Sequence, residues 1–434
     1  MNIRPFEIAL IGVFGIAAVF GLFFLSNFNS EESKNQKIYG ESISIWGTLD
    51  NRVMEDLLYD LAKTNKAFSV VKYKKIDVRS FDSVLLNAIA DGQSPDLIVM
   101  PHTLLASYRT KLQPISFETI PERTFRDSYI DGADIFMLSD GIYGIPFAVD
   151  PLVMYWNKDI FSSSGLAQPP KTWVALLSET VGAIVRTNDD LEVTQSALAF
   201  GEYANVTHAK KILSMLFLQS GSTIVEEDDG GYAVTLNRGS ENVLPPGEAA
   251  LTFYTQFVVP SREYYSWNRS KGLDRKAFLD GTLALYFAPG SERKNLERDN
   301  PNLNFDTAFV PQGSEVTADR DYGEFYAFAI PRASKNIQGA YAVATQLASK
   351  ESASVLAEGY SLAPVQRALF AEPLNETHKN VLYKSALISR GWLDPNPDQS
   401  SAVFQKMVED VTSGKVRLKS ILNDTVDELK SLYK

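Results

Sequence analysis

The sequence predicts an α/β protein of two domains that follow one apolar N-terminal segment. Short runs of strand-like alternation take turns with runs of helical periodicity, and this order is typical of a mostly parallel sheet covered by helices. Roughly 400 residues follow the apolar segment, which is too long for one typical hydrophobic core. The hydrophobic content of 45 % and the aromatic content of 11 % are sufficient for two cores.

The apolar segment runs without a charge from Ile8 to Leu25, and a helix of that length can cross a bilayer. Arg4 and the N-terminal amine precede the segment, whereas Glu31 and Glu32 follow it. Because positive charges stay on the cytoplasmic side, we predict a transmembrane anchor over residues 8–28 with its N-terminus in the cytoplasm.

This anchor would leave residues 1–7 in the cytoplasm, a polar stalk at 29–39, and an extracellular or periplasmic body held at the cell membrane by a single span. The alternative is a cleaved signal peptide, although the apolar run is longer than usual and no small-x-small cleavage site follows it. The chain contains no cysteine, which excludes disulfide bonds and a lipid-modified cysteine tether.

The first elements after the stalk follow from local patterns. Ser42–Trp46 alternates like a strand, and Asp50 can cap the helix that follows a Gly-Thr turn. We predict a strand from Phe68 to Ile76, a helix from Phe81 to Ala90 and a buried strand from Pro95 to Met100.

Helical periodicity continues through the rest of the chain. A β-hairpin is predicted at 222–237, where the acidic turn Glu226–Gly231 joins two apolar arms. Further helices are predicted at 172–186, 207–220, 246–259, 273–280, 336–350, 377–389, 398–413 and 416–432.

Charge and motif content exclude most other classes of function. The net charge of −11 argues against nucleic acid or an anionic membrane surface as a partner. Three widely spaced histidines, the absence of cysteine and the lack of nucleophile-elbow, dinucleotide and phosphate-loop motifs predict no catalytic residue, metal site or cofactor. The sequence therefore favours a protein that is not an enzyme.

Two clusters of residues could hold a metal ion, but each also has a simpler structural interpretation. Glu226–Asp229 lacks the alternating oxygen ligands of a calcium loop, so a solvated turn is the favoured interpretation. The pair Tyr264 and Tyr265 could hold ferric ion, but adjacent aromatic residues more often serve packing.

Several aromatic and polar residues stand at the ends of predicted strands. Trp46 and Asp50 follow the first strand, and His102 follows the strand that ends at Met100. Ligands of open α/β sheets bind at the carboxyl ends of the strands, so these positions are candidates for ligand contact.

One long segment resembles the extracellular solute-binding proteins of ABC importers, specifically the maltose-binding-like family. The segment runs from Tyr143 to Phe161 as YGIPFAVDPLVMYWNKDIF and is followed by Gly165-Leu166 and by Pro169–Trp173. Further segments similar to that family are Ser94–Ile98, Phe278–Tyr286, Phe309–Pro311, Phe325–Pro331 and Ser361–Val365.

The resemblance implies a two-lobed periplasmic-binding-protein fold of type II, with a hinge and a ligand cleft between the lobes. The N-lobe would comprise residues 40–148 and 322–361, and the C-lobe residues 151–316 and 363–434. The chain would cross between the lobes near Val149–Pro151, Val316–Tyr322 and Leu362–Ala363.

The resemblance also implies the cleft residues, each with a plainer alternative. Asp50 could be a helix cap, Asp150 a turn residue before Pro151, and Trp46 a core residue. The candidate ligand contacts are Trp46, Asp50, His102, Asp150, Tyr203, Trp267, Gly290, Ser291 and Trp392. Ser291 stands where many sugar binders of this family carry tryptophan, and Trp173 is assigned to packing.

On this basis we expect a monomeric membrane-anchored receptor that captures a small polar solute by lobe closure and delivers it to an ABC permease. Flat aromatic faces and hydrogen-bonding carboxylates suit a mono- or oligosaccharide. Peptide, polyamine or ferric ion remain alternative cargoes. A ligand sensor or a surface adhesin with the same fold is the alternative function.

Overall fold

The computed structural model describes residues 42–190, 192–228, 231–239, 245–313, 318–371, 374, 376–414 and 417–433. The predicted anchor at 8–28 and the stalk at 29–39 lie outside these residues, as do Val316 and Thr317 of one predicted crossing. Within the described ranges, no helix combines the length and the apolar character needed to cross a membrane.

Strands and helices alternate along the described chain. The strands are β1 (Ile43–Gly47), β2 (Val71–Lys75), β3 (Leu97–Pro101), β4 (Met137–Leu138), β5 (Gly141–Ile142), β6 (Ile145–Asn157), β7 (Arg186–Thr187), β8 (Val193–Leu198), β9 (Val225–Asp228), β10 (Gly231–Val234), β11 (Leu283–Pro289), β12 (Phe305–Ala308), β13 (Asp321–Ala329), β14 (Ala363–Pro364) and β15 (Ser389–Arg390). The α-helices are α1 (Asn51–Thr64), α2 (Phe81–Ala90), α3 (Leu105–Tyr108), α4 (Glu122–Ser128), α5 (Lys158–Ser163), α6 (Trp173–Ala175), α7 (Gly182–Ile184), α8 (Ala209–Gln219), α9 (Pro246–Thr255), α10 (Asp274–Leu279), α11 (Arg293–Asp299), α12 (Ile337–Leu347), α13 (Lys350–Tyr360), α14 (Thr377–Ile388), α15 (Pro397–Thr412) and α16 (Leu418–Ser431).

The chain divides into two compact units. The first contains the described residues up to Ile98 together with Ile330–Gln346, and the second contains Val99–Ala329 and Leu347–Lys434. The lobe boundaries drawn from the sequence are different and stay a prediction.

The first unit contains a parallel arrangement of strands. β1 pairs in parallel with β2 and with β3, and its inward side chains, Ile43 and Ile45, are fully buried. Asp50 caps α1 by accepting a hydrogen bond from the backbone N–H of Arg52, as predicted. The strand predicted from Phe68 begins later than expected, because Lys66–Val70 forms a 3₁₀ helix before β2.

The second unit is built around β6, whose thirteen residues are nearly all buried. β6 pairs antiparallel with β11, β12, β13 and β14, so the prediction of a mostly parallel sheet is wrong for this unit. β11 continues the sheet in parallel with β8. The antiparallel pairing arises because β6 contacts strands far away in the chain, which local periodicity does not reveal.

β6 changes partners at Pro151. Its first half, up to Pro151, pairs with β13 and β14, and its second half, from Leu152, pairs with β11 and β12. Proline has no N–H to donate to a ladder and is usually found at edges and irregularities of sheets. The change of partners coincides with the crossing predicted at Val149–Pro151.

Other predictions of local structure are confirmed. Helix α2 has the predicted bounds, and β9 and β10 form the hairpin predicted at 222–237, although Glu226, Glu227 and Asp228 belong to a strand rather than to the turn. The helix predicted at 172–186 is continuous from α6 to α7 but contains a π-helical turn at Leu176–Val181.

Candidate functional site

A small polar cavity lies inside the second unit, with a volume of about 260 Å³. It forms where the start of α8, the first half of β13, the start of α15 and the 3₁₀ turn at His102–Leu104 approach one another. Its lining residues are Thr103, Tyr203, Val206, Thr207, His208, Ala209, Lys210, Lys211, Tyr322, Glu324, Pro397, Asp398 and Ser401.

An ion pair occupies one wall of this cavity. Lys211 Nζ lies 2.8 Å from Glu324 Oε2, and the hydroxyl of Tyr326 donates to Glu324 Oε1 at 2.7 Å. Burial alone would raise the pKa of Glu324, but the Lys211 ammonium and these two hydrogen bonds outweigh it and lower that pKa to about 2. Glu324 is therefore a carboxylate, and Lys211 is its cation.

Asp150 is the direct cross-strand partner of Glu324 in the pairing of β6 with β13. Its carboxylate accepts hydrogen bonds from the backbone N–H of Ser291 at 3.1 Å and from the Ser291 hydroxyl at 2.6 Å. Burial raises the pKa of Asp150 to about 6, although Lys211 and Ser291 both act to lower it. Asp150 does not belong to the lining of the cavity.

Lys210 provides a second ion pair at the cavity. Its ammonium bonds the carboxylate of Asp394, which is completely buried, and also contacts Ser400 Oγ at 2.6 Å and the carbonyl oxygen of Pro397 at 2.9 Å. Burial lowers the pKa of Lys210, while Asp394 acts in the opposite direction. These contacts tie the start of α8 to the start of α15.

Two histidines near the cavity are neutral. Burial lowers the pKa of His208 to about 3 and that of His102 to about 4. The Nε2 atom of each is buried and has no hydrogen-bond partner among the described residues. Only His208 belongs to the cavity lining.

Of the predicted ligand contacts, Tyr203 alone lines this cavity. Its hydroxyl lies 2.7 Å from Ser401 Oγ, and burial raises its pKa to about 12. Trp46 and Asp50 belong to the first unit, where Lys74 Nζ lies 4.6 Å from the centre of the Trp46 ring and Asp50 pairs with Lys75 at 3.1 Å. A ligand role for those two residues stays a prediction.

His102 and Trp267 are buried in this structure, and a ligand role for either stays a prediction. His102 is completely buried, and its Nδ1 atom accepts the backbone N–H of Phe325 at 3.0 Å. Trp267 is 1 % exposed, and its indole N–H donates to Asn205 Oδ1 at 3.2 Å.

Trp392 also packs more tightly than the sequence suggested. Its ring stacks on Phe404 with the ring centres 5.9 Å apart and an angle of 11°, and its indole N–H donates to Ser214 Oγ at 3.0 Å. Only 2 % of the residue is exposed, but Trp392 belongs to the lining of the larger cavity described below, and a ligand role for it stays a prediction. The assignment of Trp173 to packing is confirmed by its edge-on contact with Phe253.

Gly290 and Ser291 support Asp150 and do not line the cavity. Ser291 is the hydrogen-bond donor to that carboxylate, and Gly290 is buried where a side chain would overlap Leu382. The Trp-to-Ser difference noted in the sequence thus places a hydroxyl donor beside the carboxylate.

The sequence did not identify five further residues of the cavity lining as ligand contacts. They are Thr207, His208, Lys210, Lys211 and Glu324. One signal was available at the start of α8, where two lysines occupy the first turn. Cations are unfavourable at the N-terminal end of a helix dipole, so such a pair indicates that carboxylates from elsewhere lie nearby.

A larger cavity of about 960 Å³ also lies inside the second unit. In this lining Asp131 pairs with Arg390 at 2.9 Å and Glu227 pairs with Arg109 at 2.9 Å, while the guanidinium of Arg320 donates to the backbone carbonyl of Asp319 at 3.1 Å. None of the buried side-chain atoms that lack a partner in the described residues belongs to this lining. The smaller cavity is therefore the better candidate for a binding site.

A mixed α/β sheet and a polar cavity are features of proteins that bind a small solute. Residues 62–381 match the sequence profile of the family described as bacterial extracellular solute-binding protein, and the chain belongs to that family. Members of this family bind solutes and are not enzymes, and the family's location is extracellular.

Curated relatives add little detail. Two proteins that are binding proteins by name, from Brucella abortus (strain 2308) and Brucella suis biovar 1 (strain 1330), are each 22 % identical over 242 residues. The match covers 53 % of this chain, and the chain spans about half the length of these relatives, 52 %.

Solved structures of low sequence identity share the two-lobed α/β solute-binding fold. A cyclo/maltodextrin-binding protein complexed with maltotetraose superposes with a TM-score of 0.70 at 20 % identity, covering 90 % of this chain and 97 % of that one. The sugar-binding protein MalE of Xanthomonas citri gives 0.72 at 16 %, covering 90 % and 97 %. The cyclic α-maltosyl-1,6-maltose binding protein of Arthrobacter globiformis gives 0.73 at 14 %, covering 91 % and 99 %.

Proposed function

We propose that this protein is a membrane-anchored extracellular receptor that binds a mono- or oligosaccharide and delivers it to an ABC transporter permease. The observation that carries the proposal is the cavity at the start of α8, whose lining contains both Tyr203 and the Lys211–Glu324 pair. Sugars need an aromatic face for their C–H surface and charged hydrogen-bonding groups for their hydroxyls, and this wall supplies both. The sugar ligands named for the structural relatives support this choice.

The cavity also fits capture by closure of the predicted lobes. Its lining combines Thr103, from the predicted N-lobe, with Tyr203 and Ser401, from the predicted C-lobe. Glu324 comes from β13 close to a predicted crossing. A solute that contacts both lobes favours the closed state by its differential affinity, and the permease would recognise that state.

The predicted anchor at 8–28 would keep the receptor near its permease and raise the effective concentration of loaded receptor. Extraction of membranes with alkaline carbonate tests this part of the proposal. An anchored protein stays in the membrane pellet, whereas release of the full-length chain into the supernatant would contradict the anchor.

The binding proposal is tested by thermal unfolding of the full-length chain in detergent with a panel of sugars, amino acids, peptides, polyamines and ferric ion. A ligand that binds only the folded form raises the melting temperature with its concentration. A saturable shift with one sugar series, absent in a Tyr203→Ala variant that still folds, supports the proposal. A shift with peptide, polyamine or metal alone would overturn the sugar assignment.

Delivery is tested separately by uptake of the labelled sugar in cells. Deleting the receptor gene abolishes high-affinity uptake if the protein feeds a permease. Unchanged uptake by cells that lack a protein shown to bind the sugar would favour a sensor or an adhesin instead.

A further inference from the structure

The imidazole of His208 has a polar edge that no hydrogen bond within the described residues satisfies. His208 is the N-cap residue of α8, but its side chain makes no capping hydrogen bond. The nearest aromatic ring, that of Tyr286, has its centre 6.1 Å away at an angle of 49°. Its Nε2 atom is buried and has no hydrogen-bond partner among the described residues, and buried polar atoms nearly always have one.

The imidazole can still make one more hydrogen bond. Burial and the nearby Lys211 ammonium lower the pKa of His208 to about 3, so the ring is neutral at ordinary pH. A neutral imidazole has one donor and one acceptor nitrogen. A hydroxyl group, which both donates and accepts, is a suitable partner for either tautomer.

The charges of the cavity favour an uncharged ligand. Lys210 is bonded to Asp394 and Lys211 to Glu324, so both cations of the lining already have carboxylate partners. No arginine belongs to the described lining, and the remaining charge there is the carboxylate of Asp398. Proteins recognise carboxylate and phosphate groups with available arginine or lysine side chains, and this wall presents neither.

The volume limits the size of the ligand. At about 260 Å³ the cavity is smaller than the roughly 300–1,000 Å³ typical of sites for drug-sized molecules. Tyr203 and Tyr322 belong to the same lining, and Tyr203, which is the less buried of the two, can cover the C–H face of a ring.

We propose that His208 is a specificity-determining residue of this cavity, and that the ligand is an uncharged sugar of one or two rings with a hydroxyl group bonded to His208 Nε2. The proposal rests on the sugar-binding function proposed above. It adds that the ligand is uncharged, that the ligand has one or two rings, and that His208 contacts it.

The test is titration calorimetry of the full-length chain with glucose, maltose, maltotetraose, glucuronate and glucose 6-phosphate, extended to other neutral mono- and disaccharides and their acidic counterparts. A neutral sugar of one or two rings is expected to bind at least 100-fold more tightly than its acidic counterpart. It is also expected to bind more tightly than the four-ring chain. An acidic sugar or maltotetraose that binds as tightly would overturn the ligand class.

The role of His208 is tested with His208→Phe, which keeps a ring and removes both nitrogens. We expect Kd for the cognate sugar to rise at least tenfold with an unchanged melting temperature of the ligand-free protein, and His208→Gln to recover part of the affinity. The matched control is His378→Phe, because His378 bonds Thr307 Oγ1 at 2.9 Å outside the cavity lining.

Each outcome has a distinct meaning. An unchanged Kd in His208→Phe overturns the role of His208 while leaving sugar binding intact. A large fall in the melting temperature of ligand-free His208→Phe would show that the residue is structural and would equally overturn it. Failure of the unmodified chain to bind any sugar overturns the proposed function, and this inference with it.

Discussion

Asp150 and Glu324 face each other directly across the antiparallel pairing of β6 and β13. Side chains at such positions lie on the same face of a sheet, and like charges placed there repel. The protein resolves this conflict by giving Glu324 the Lys211 ammonium at 2.8 Å and by burying Asp150 so that its pKa rises to about 6. One carboxyl group is thus stabilised as an anion and the other is held close to protonation.

Removing the cation should be strongly destabilising. Lys211→Met leaves Glu324 partly buried without its partner, and breaking a buried ion pair costs about 3–5 kcal/mol. Because 27 % of the Lys211 side chain is exposed, we expect a loss of about 3 kcal/mol in the free energy of unfolding, measured by urea denaturation.

The matched control is Lys276→Met, which breaks an ion pair with Asp280 whose lysine is 72 % exposed. Its effect should stay within about 0.5 kcal/mol. Adding Glu324→Gln to Lys211→Met should recover part of the lost stability. A double variant as unstable as Lys211→Met alone would show that the charge of Glu324 is not the cause.

Asp150 should make the protein less stable as the pH rises. Its folded pKa of about 6 lies above the ordinary value of 3.8, so the folded state holds the proton more strongly than the unfolded state does. The cost of ionisation is absent below pH 4, grows between pH 4 and 6, and is complete above pH 6, where it reaches about 2–3 kcal/mol.

Asp150→Asn removes this titration, because an amide keeps the acceptor for the Ser291 N–H. We expect the variant to match the original protein near pH 4 and to exceed its unfolding free energy by about 2–3 kcal/mol at pH 7.5. Glu324 has the opposite effect on the pH dependence of stability, because its pKa is lowered to about 2. It is present in both proteins, so its effect cancels in the comparison. A stability difference that stays constant from pH 4 to pH 7.5 would contradict the raised pKa of Asp150.

Trp392→Ala should weaken the fold itself. The ring stacks on Phe404 and bonds Ser214, so its loss leaves a cavity and an unpaired hydroxyl. Truncating a buried tryptophan costs about 3–5 kcal/mol, and the melting temperature of the ligand-free protein should fall accordingly. Tyr59→Ala, at a residue that is 67 % exposed, is the control and should change it little. An unchanged melting temperature in Trp392→Ala would instead favour a ligand role for that ring.

Gly391 and His102 should show strong energetic coupling. A β-carbon at Gly391 would lie 2.5 Å from His102 Nε2, so Gly391→Ala should cost about 1–3 kcal/mol by overpacking. His102→Ala should also destabilise, because it leaves a cavity and an unpaired N–H on Phe325.

In the double variant the new methyl group occupies space that the imidazole has left. We expect its destabilisation to be smaller than the sum of the single effects by about 1–2 kcal/mol, measured as a double-mutant cycle by urea denaturation. Simple additivity of the two single effects would contradict the contact.

Local elements could be predicted from the sequence because their causes are local. The bounds of α2 follow from the spacing of its apolar residues. The cap of α1 follows from the polar residue Asp50, which comes directly before that helix. The antiparallel partners of β6 could not be predicted in this way, because the pairing of Tyr155 with Tyr286 joins positions far apart in the chain. Periodicity describes which face of a strand is buried, and not which strand lies beside it.

The site was predictable to a smaller extent. Tyr203 was found through a family resemblance, whereas Lys211 and Glu324 are 113 positions apart and neither belongs to a recognisable motif. Trp392 is a candidate because a large aromatic residue in a loop is less easily explained as core, and Trp267 because it precedes the Phe278–Gly281 segment. In the structure these two residues are 2 % and 1 % exposed, as is ordinary for large apolar rings, and a ligand role for either stays a prediction.

The change of partners along β6 has a consequence for the dynamics of the second unit. Four strands take their register from this one, so each of its ladder amide hydrogens exchanges with solvent only when the ladder that holds it opens. Such amides report the global free energy of unfolding, while those of peripheral elements such as the β9–β10 hairpin exchange through small local openings. The protection of Val149 and Val153 against hydrogen exchange is therefore a direct gauge of how cooperatively the whole unit is held together.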